Sequence, residues 1–262
     1  MLSLAVNRRT ALLFLGSGAG AILMSACGGN TSNTESSASP LASSSSASST
    51  SSSETPSSAS PSASPSRRNS FQRGFNVELN NADMEYTGEG YMYSTREKQG
   101  YGWPHPKRPQ EMSENSELGL YYSWAYASAG ISYAMKTGDD TYIKQSGMTE
   151  GDQKLFKSIA LLEETREGKY WEESGNFVYR LESDHPEKKG EEYSWPYQLQ
   201  MFHGDFYVRN GEVHEIPENT DGWGKIVYSA GTLKARYLDG AWQMEGFFEG
   251  IATNVVGKPF DK

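Results

Sequence analysis

Four histidines, His105, His185, His203 and His214, are all the imidazole this chain can offer, and their neighbours decide what each could do. His203 and Asp205 stand two apart in a stretch that reads as a strand, so both side chains would leave the same face of a sheet. An aspartate placed there could hold the ring in the tautomer of a general base, the arrangement a hydrolase or isomerase would use. The plainer reading is a polar pair beside a glycine bend at Gly204. Glu212 and His214 repeat the spacing after a hairpin turn and read as exposed. His185 precedes Pro186 in a charged loop and reads as solvated.

Other chemistries lack their patterns. There is no His-x-His, no His-Glu-x-x-His and no Asp-x-Asp-x-Asp-Gly, so no metal is expected. A Gly-x-Ser-x-Gly elbow and a phosphate-binding glycine loop are also missing, and no cofactor is expected. Cys27 is the only cysteine, which removes an internal disulfide, a thiol nucleophile in the folded part and a cysteine metal cluster. The formal net charge of −9 argues against nucleic acid and against direct adhesion to anionic lipid headgroups.

Aromatic residues are the better clue. Tyr122, Trp124, Tyr126, Tyr133, Trp171 and Tyr197, together with Trp195 and Trp242, could line an apolar pocket carrying a few hydroxyls. Core packing explains any single one of them as well.

The element that must position these residues is the segment from Ser116 to Asp139. Leu120, Trp124, Ala127, Ile131 and Met135 recur at helical spacing, with a second stripe of Leu118, Tyr122, Tyr126, Ala129 and Tyr133 beside them. A helix apolar over this much of its girth is buried. Ser113 or Ser116 can cap it, Glu114 or Glu117 suits its first turn, and Gly138 can end it. Thr149-Glu-Gly-Asp152 resembles a capping box for a second helix marked by Leu155, Phe156, Ile159, Leu162 and Tyr170.

The remainder reads as strands. Phe177 to Leu181 is one, and Tyr193 to Val208 alternates as a long second, with Tyr197, Leu199, Met201 and His203 on one face. Asn210-Gly211 and Asp239-Gly240 are hairpin turns, the latter joining Thr232–Tyr237 to Trp242–Phe248. Gly204 and Gly231 suggest bulges or bends. The expected fold is α+β, a curved antiparallel sheet wrapped around N-terminal helices.

Ahead of this domain the chain carries an address. Arg8 and Arg9, an apolar run from Ala11 to Met24 and then Met24-Ser-Ala-Cys27 resemble the signal and lipobox of bacterial lipoproteins. That resemblance implies cleavage after Ala26 and acylation of Cys27 by diacylglycerol and often a further acyl chain. The expected site is the extracytoplasmic side of the cell membrane, where the lipid anchor meets the bilayer. Arg8-Arg9-Thr-Ala-Leu-Leu also resembles a twin-arginine export signal. Residues 27–66 are almost entirely Ser, Ala, Thr and Pro, a composition too poor in apolar surface to order, and read as a disordered tether. Residues 67–106 form an irregular segment rich in glycine and aromatics, and residues 107–262 the domain itself.

Pro109-Gln-Glu-Met, the helix ending Ala-Gly-Ile-Ser-Tyr-Ala-Met-Lys-Thr-Gly-Asp139 and Gly168-Lys-Tyr-Trp171 together resemble a family of uncharacterised actinobacterial lipoproteins. Its members join a lipobox and a stalk to a domain of unknown function. The order helix, Thr-Gly-Asp, helix, strands, closing on Tyr237-Leu-Asp-Gly-Ala-Trp242, is similar to the nuclear-transport-factor-2-like cone. Many family members carry a Cys-x-x-Cys pair early in the second helix. Gln153 and Phe156 stand there in this chain, so no role of that pair carries over.

Three readings follow. The first is a membrane-anchored envelope lipoprotein whose domain binds a small ligand or an envelope protein without chemistry. The second is a cone-fold hydrolase or isomerase using His203 and Asp205, and the third a structural spacer. The oligomeric state is open.

Overall fold

A computed structural model describes residues 70–88, 90–218 and 224–252. The signal, Ala26, Cys27 and the tether expected over residues 27–66 lie outside them. Three two-residue strands, β1 (Asn76–Val77), β2 (Met84–Glu85) and β3 (His105–Pro106), come first, among short 3-10 turns. Four helices follow: α1 (Glu117–Thr137), α2 (Thr141–Lys144), α3 (Glu150–Ile159) and α4 (Leu162–Arg166). The strands β4 (Tyr170–Glu172), β5 (Asn176–Leu181), β6 (Glu187–Lys189), β7 (Glu192–Phe202), β8 (Phe206–Arg209) and β9 (Glu212–Glu215) come next. Then β10 (Ile226–Leu238), β11 (Ala241–Glu245) and α5 (Glu249–Ala252) complete the described part.

The ends of α1 follow from local chemistry. Ser116 accepts the N–H of Gly119 at 3.1 Å, satisfying one donor that the first turn leaves open, and Glu117 faces the positive end of the helix dipole. Gly138, at φ 75°, turns the chain out of the helix while its N–H still reaches the carbonyl of Ala134.

The fold is α+β with antiparallel sheets. The main sheet runs β1-β5-β7-β10-β11, with β6 also on β7, and its register sets Tyr179 opposite Leu199 and Tyr197 opposite Gly231. A three-stranded sheet, β4-β8-β9, and the β2–β3 pair are separate. Both β1 and β11, the two ends of the main strand order, touch α1. Four strand spacings of about 4.8 Å exceed the width of a helix, so a flat sheet could not touch it at both edges. The sheet therefore curls round α1.

The core sits in that curl. Trp124 is wholly buried, its ring centroid 5.6 Å from Tyr179, 5.7 Å from Tyr197 and 6.1 Å from Trp195. Phe71 stacks on Tyr121, and Phe247 and Phe248 close the floor against Tyr179, Phe156 and Phe177.

Several expectations change in detail. The second helix is two helices, α3 and α4, broken at Ala160 and Leu161; Ile159 is exposed and Tyr170 belongs to β4. The Thr149 side chain caps nothing, and Asp152 instead accepts the N–H groups of Gly246 and Phe247 at 2.7 and 3.2 Å. The long strand from Tyr193 is cut after Phe202, where Gly204 takes φ 87° and sends β8 into the other sheet. Gly231 makes no bulge: pairing continues through it, and an added Cβ would lie 2.6 Å from the Tyr197 hydroxyl, so glycine makes room for that ring. β11 ends at Glu245, and Phe247 and Phe248 fold inward rather than extending it. The segment read as irregular supplies β1, which pairs with β5.

Candidate functional site

Beside its buried aromatic stripe, α1 presents a flank of small residues, Ala125, Ser128, Ala129 and Ser132, at the i, i+3, i+4, i+7 spacing of one helix face. Opposite that flank lie β1, the loop after it and the start of β5. Small side chains cannot close the distance, and a cleft of about 460 Å³ results. Its apolar walls are Val77, Leu79, Met84, Phe177, Val178 and Phe202, and its polar atoms come from Asn76, Glu78, Ser128, Ser132, Ser174 and Asn176. The size falls within the range of small-ligand sites.

The two ends of the cleft differ in charge. Glu78 and Asn80 lie beside the first turns of α1, since the Glu78 N–H reaches the Tyr121 hydroxyl and the Asn80 amide reaches that of Tyr122. At the other end Ser132 Oγ accepts the N–H of Phe177 at 3.3 Å, and the Asn176 amide donates to Ser174 Oγ at 3.0 Å. Lys136 Nζ donates to Asn176 Oδ1 at 2.5 Å and rests 4.6 Å from the ring centroid of Trp103. Among the described residues Lys136 makes no ion pair. Burial pushes its amine down to about 8, because the charged form has lost water without gaining an anion.

A buried polar chain stands behind this end. The Ser174 N–H donates to the carbonyl of His203, and His203 Nδ1 lies 3.0 Å from Glu172 Oε2. Tyr170 donates its hydroxyl to the other oxygen of Glu172. Tyr170, Glu172 and His203 are all buried. Burial, and then the Glu172 charge, push the Tyr170 hydroxyl well above its ordinary value, so it stays a donor. A carboxylate accepting from both sides favours a hydrogen on His203 Nδ1.

The structure does not assemble His203 with Asp205. The expected strand stops at Phe202, so the two residues no longer share a face, and Asp205 is exposed with its carboxylate 3.0 Å from Lys225 Nζ. Glu172 takes the place beside His203. Nor do the six aromatics meet in one pocket, and none of them lines the cleft. Trp124 and Tyr197 pack in the core, with the Tyr197 hydroxyl bound to the carbonyls of Gly246 and Phe247. Tyr122 accepts from Asn80, and Tyr126 donates to Gln145. Tyr133 packs on His105 and Tyr142. Trp171 belongs to a separate cluster with Phe206 and Val208, its indole donating to Thr95. Tyr122, Tyr126, Trp171 and Tyr197 have hydrogen-bond partners inside the fold, whereas the buried indole N–H of Trp124 has none among the described residues and its ring serves packing alone.

Lys136, Ser174, Asn176 and Glu172 went unread in the sequence. One signal was visible: the small residues between Ala125 and Ser132 repeat at helical spacing, and Lys136 continues the same flank four residues on. The partners on β4 and β5 carry no local signature. Among the described residues no group of three or more His, Cys, Asp or Glu gathers to hold a metal.

An α+β domain with a lateral cleft defines a broad class, and comparison with known proteins narrows it. Residues 89–247 match a family of unknown function, DUF6318, and the chain belongs to that family. No curated protein and no solved structure matches it.

Proposed function

We propose that this chain is a cell-envelope lipoprotein that binds a small amphipathic ligand in the cleft beside α1. In this reading the signal of residues 1–26 directs export and is cleaved after Ala26. Acylated Cys27 then holds the protein on the extracytoplasmic side of the membrane, and residues 27–66 set the domain off from the bilayer. Two or more acyl chains, at about 0.8 kcal/mol per buried methylene, are enough for a lasting anchor. Among the described residues no helix is long and apolar enough to cross a membrane. The curl of the main sheet round α1 supports the cone-like description of the domain, and the family resemblance supports an actinobacterial origin.

The observation that carries the binding function is the unfilled cleft. One flank of α1 is packed to exclusion by tryptophan and tyrosine, whereas the next opens onto about 460 Å³ with mostly apolar walls and hydroxyl and amide groups at its rim. Thermal-shift measurements against amphiphiles, on the wild type and on Ala129→Phe, test it. A ligand that raises the melting temperature of the wild type and not of the variant is the expected result. Equal shifts in both would place binding elsewhere and end this reading. In cells, Cys27→Ala should release the protein from the membrane fraction and abolish incorporation of labelled palmitate.

The His203–Glu172 contact favours a second reading, an acid–base enzyme in which Glu172 orients the imidazole. It requires a bound molecule to be converted by the wild type and left unchanged by His203→Ala.

A further inference from the structure

We infer that the cleft selects amphiphiles with a carboxylate head, which docks at Lys136, Asn176 and Ser174 while the apolar body lies against Val77, Met84 and Phe202. This rests on the cleft being the binding site and adds the class of ligand.

The argument begins with an unbalanced charge. Lys136 is packed against Trp103 and only partly exposed, yet among the described residues no carboxylate neutralises it. Among the described residues its one hydrogen-bond acceptor is the side-chain oxygen of Asn176, a neutral group. A charged donor paired with an amide is weaker than the same donor paired with an anion. The amine therefore gains from any carboxylate that reaches it.

Lys136 stands behind the cleft lining and is joined to it through Asn176. Asn176 and Ser174 line the cleft and are bonded to each other, so a head group arriving there meets the Ser174 hydroxyl, the Asn176 amide and, through a turn of that amide, the Lys136 amine. The position of Lys136 in the last turn of α1 does not supply the missing anion: helix carbonyls favour a cation but do not replace a counter-ion. The opposite end of the cleft carries Glu78, which repels a carboxylate, so the head has one preferred pole. Between the poles, Ser128 and Ala129 leave room for a chain along the helix.

The test compares decanoate, decanol and decylamine by isothermal titration calorimetry. It uses the full chain carrying Cys27→Ser, so that its own acyl groups do not compete. Decanoate should bind about tenfold or more tighter than decanol, the margin a charge-assisted hydrogen bond supplies, and decylamine should gain nothing at the Lys136 end. Lys136→Met should bring decanoate down to the level of decanol and leave decanol unchanged. Asn176→Asp, which supplies the missing anion from within the protein, should have the same effect with minimal change in shape. Decanol binding as tightly as decanoate, with both abolished by Ala129→Phe, would overturn the head-group assignment and leave the cleft reading standing. No binding by any of the three, or binding indifferent to Ala129→Phe, would overturn both.

Discussion

Two flanks of one helix behave in opposite ways. Toward the sheet, α1 sends Leu120, Trp124, Ala127 and Ile131 into complete burial. About a third of a turn round, Ala129 and Ser132 open onto the cleft, bordered by the small buried residues Ala125 and Ser128. The backbone is the same and so is the spacing; only side-chain volume differs. Large residues draw the sheet in until dispersion contacts are saturated, whereas small ones leave the opposing strands standing off. A stable domain can hold open a cleft because the neighbouring flank carries the stability.

The sharpest way to break this comparison is to hollow out the packed flank. Trp124→Ala should cost about 3–5 kcal/mol in urea unfolding, since nothing nearby can refill the space; a loss below about 1 kcal/mol would mean that this flank is not the stabilising one. Asp152→Ala comes next, at about 2–3 kcal/mol, because it strands the buried N–H groups of Gly246 and Phe247 that hold the floor of the core. Asp152→Asn keeps an acceptor and should lose less.

Lys136 gives the open flank its own signature. Its folded-state value of about 8 lies below its ordinary 10.5, so between these pH values the unfolded chain binds a proton that the folded chain has released. Stability should therefore rise with pH across that window by on the order of 1 kcal/mol, solvent at the half-buried amine limiting the effect. The groups that contact the amine, Trp103 and Asn176, are uncharged and do not titrate there. Unfolding measured at pH 7.5 and 9.5 should show the rise in the wild type and lose it in Lys136→Met. The smallest effect belongs to Ser128→Ala, within about 0.5 kcal/mol, because the change removes one hydroxyl and keeps the Cβ that packs there. A larger loss in denaturant titration would show the flank to be a packed surface after all.

Much of the fold was legible because it depends on local rules. The α1 caps at Ser116 and Gly138 obey hydrogen bonding within a few residues, and the turns at Asn210-Gly211 and Asp239-Gly240 obey backbone sterics, with both first residues at φ 52°. Alternation along β7 placed Tyr197, Leu199 and Met201 inward as expected. The candidate site was not legible in this way. His203 continued the alternation on paper, but the turn at Gly204 ended the strand one residue earlier and exchanged Asp205 for Glu172, which lies thirty-one residues away in the chain. The six aromatics gave a true signal of burial and a false one of a pocket, because composition does not distinguish a ring that lines a cavity from one that fills it.

By itself the sequence determined the α+β class, the helix that organises the domain, its hairpins and the family resemblance, all of which rest on periodicity, capping and turn chemistry acting over short range. Only the tertiary structure decided which strands adjoin which, that two neighbouring flanks of α1 meet different fates, and that Lys136 comes to lie between Trp103 and Asn176 with no anion among the described residues. Those outcomes depend on volume and charge brought together from distant parts of the chain, and no local pattern encodes a gap between them.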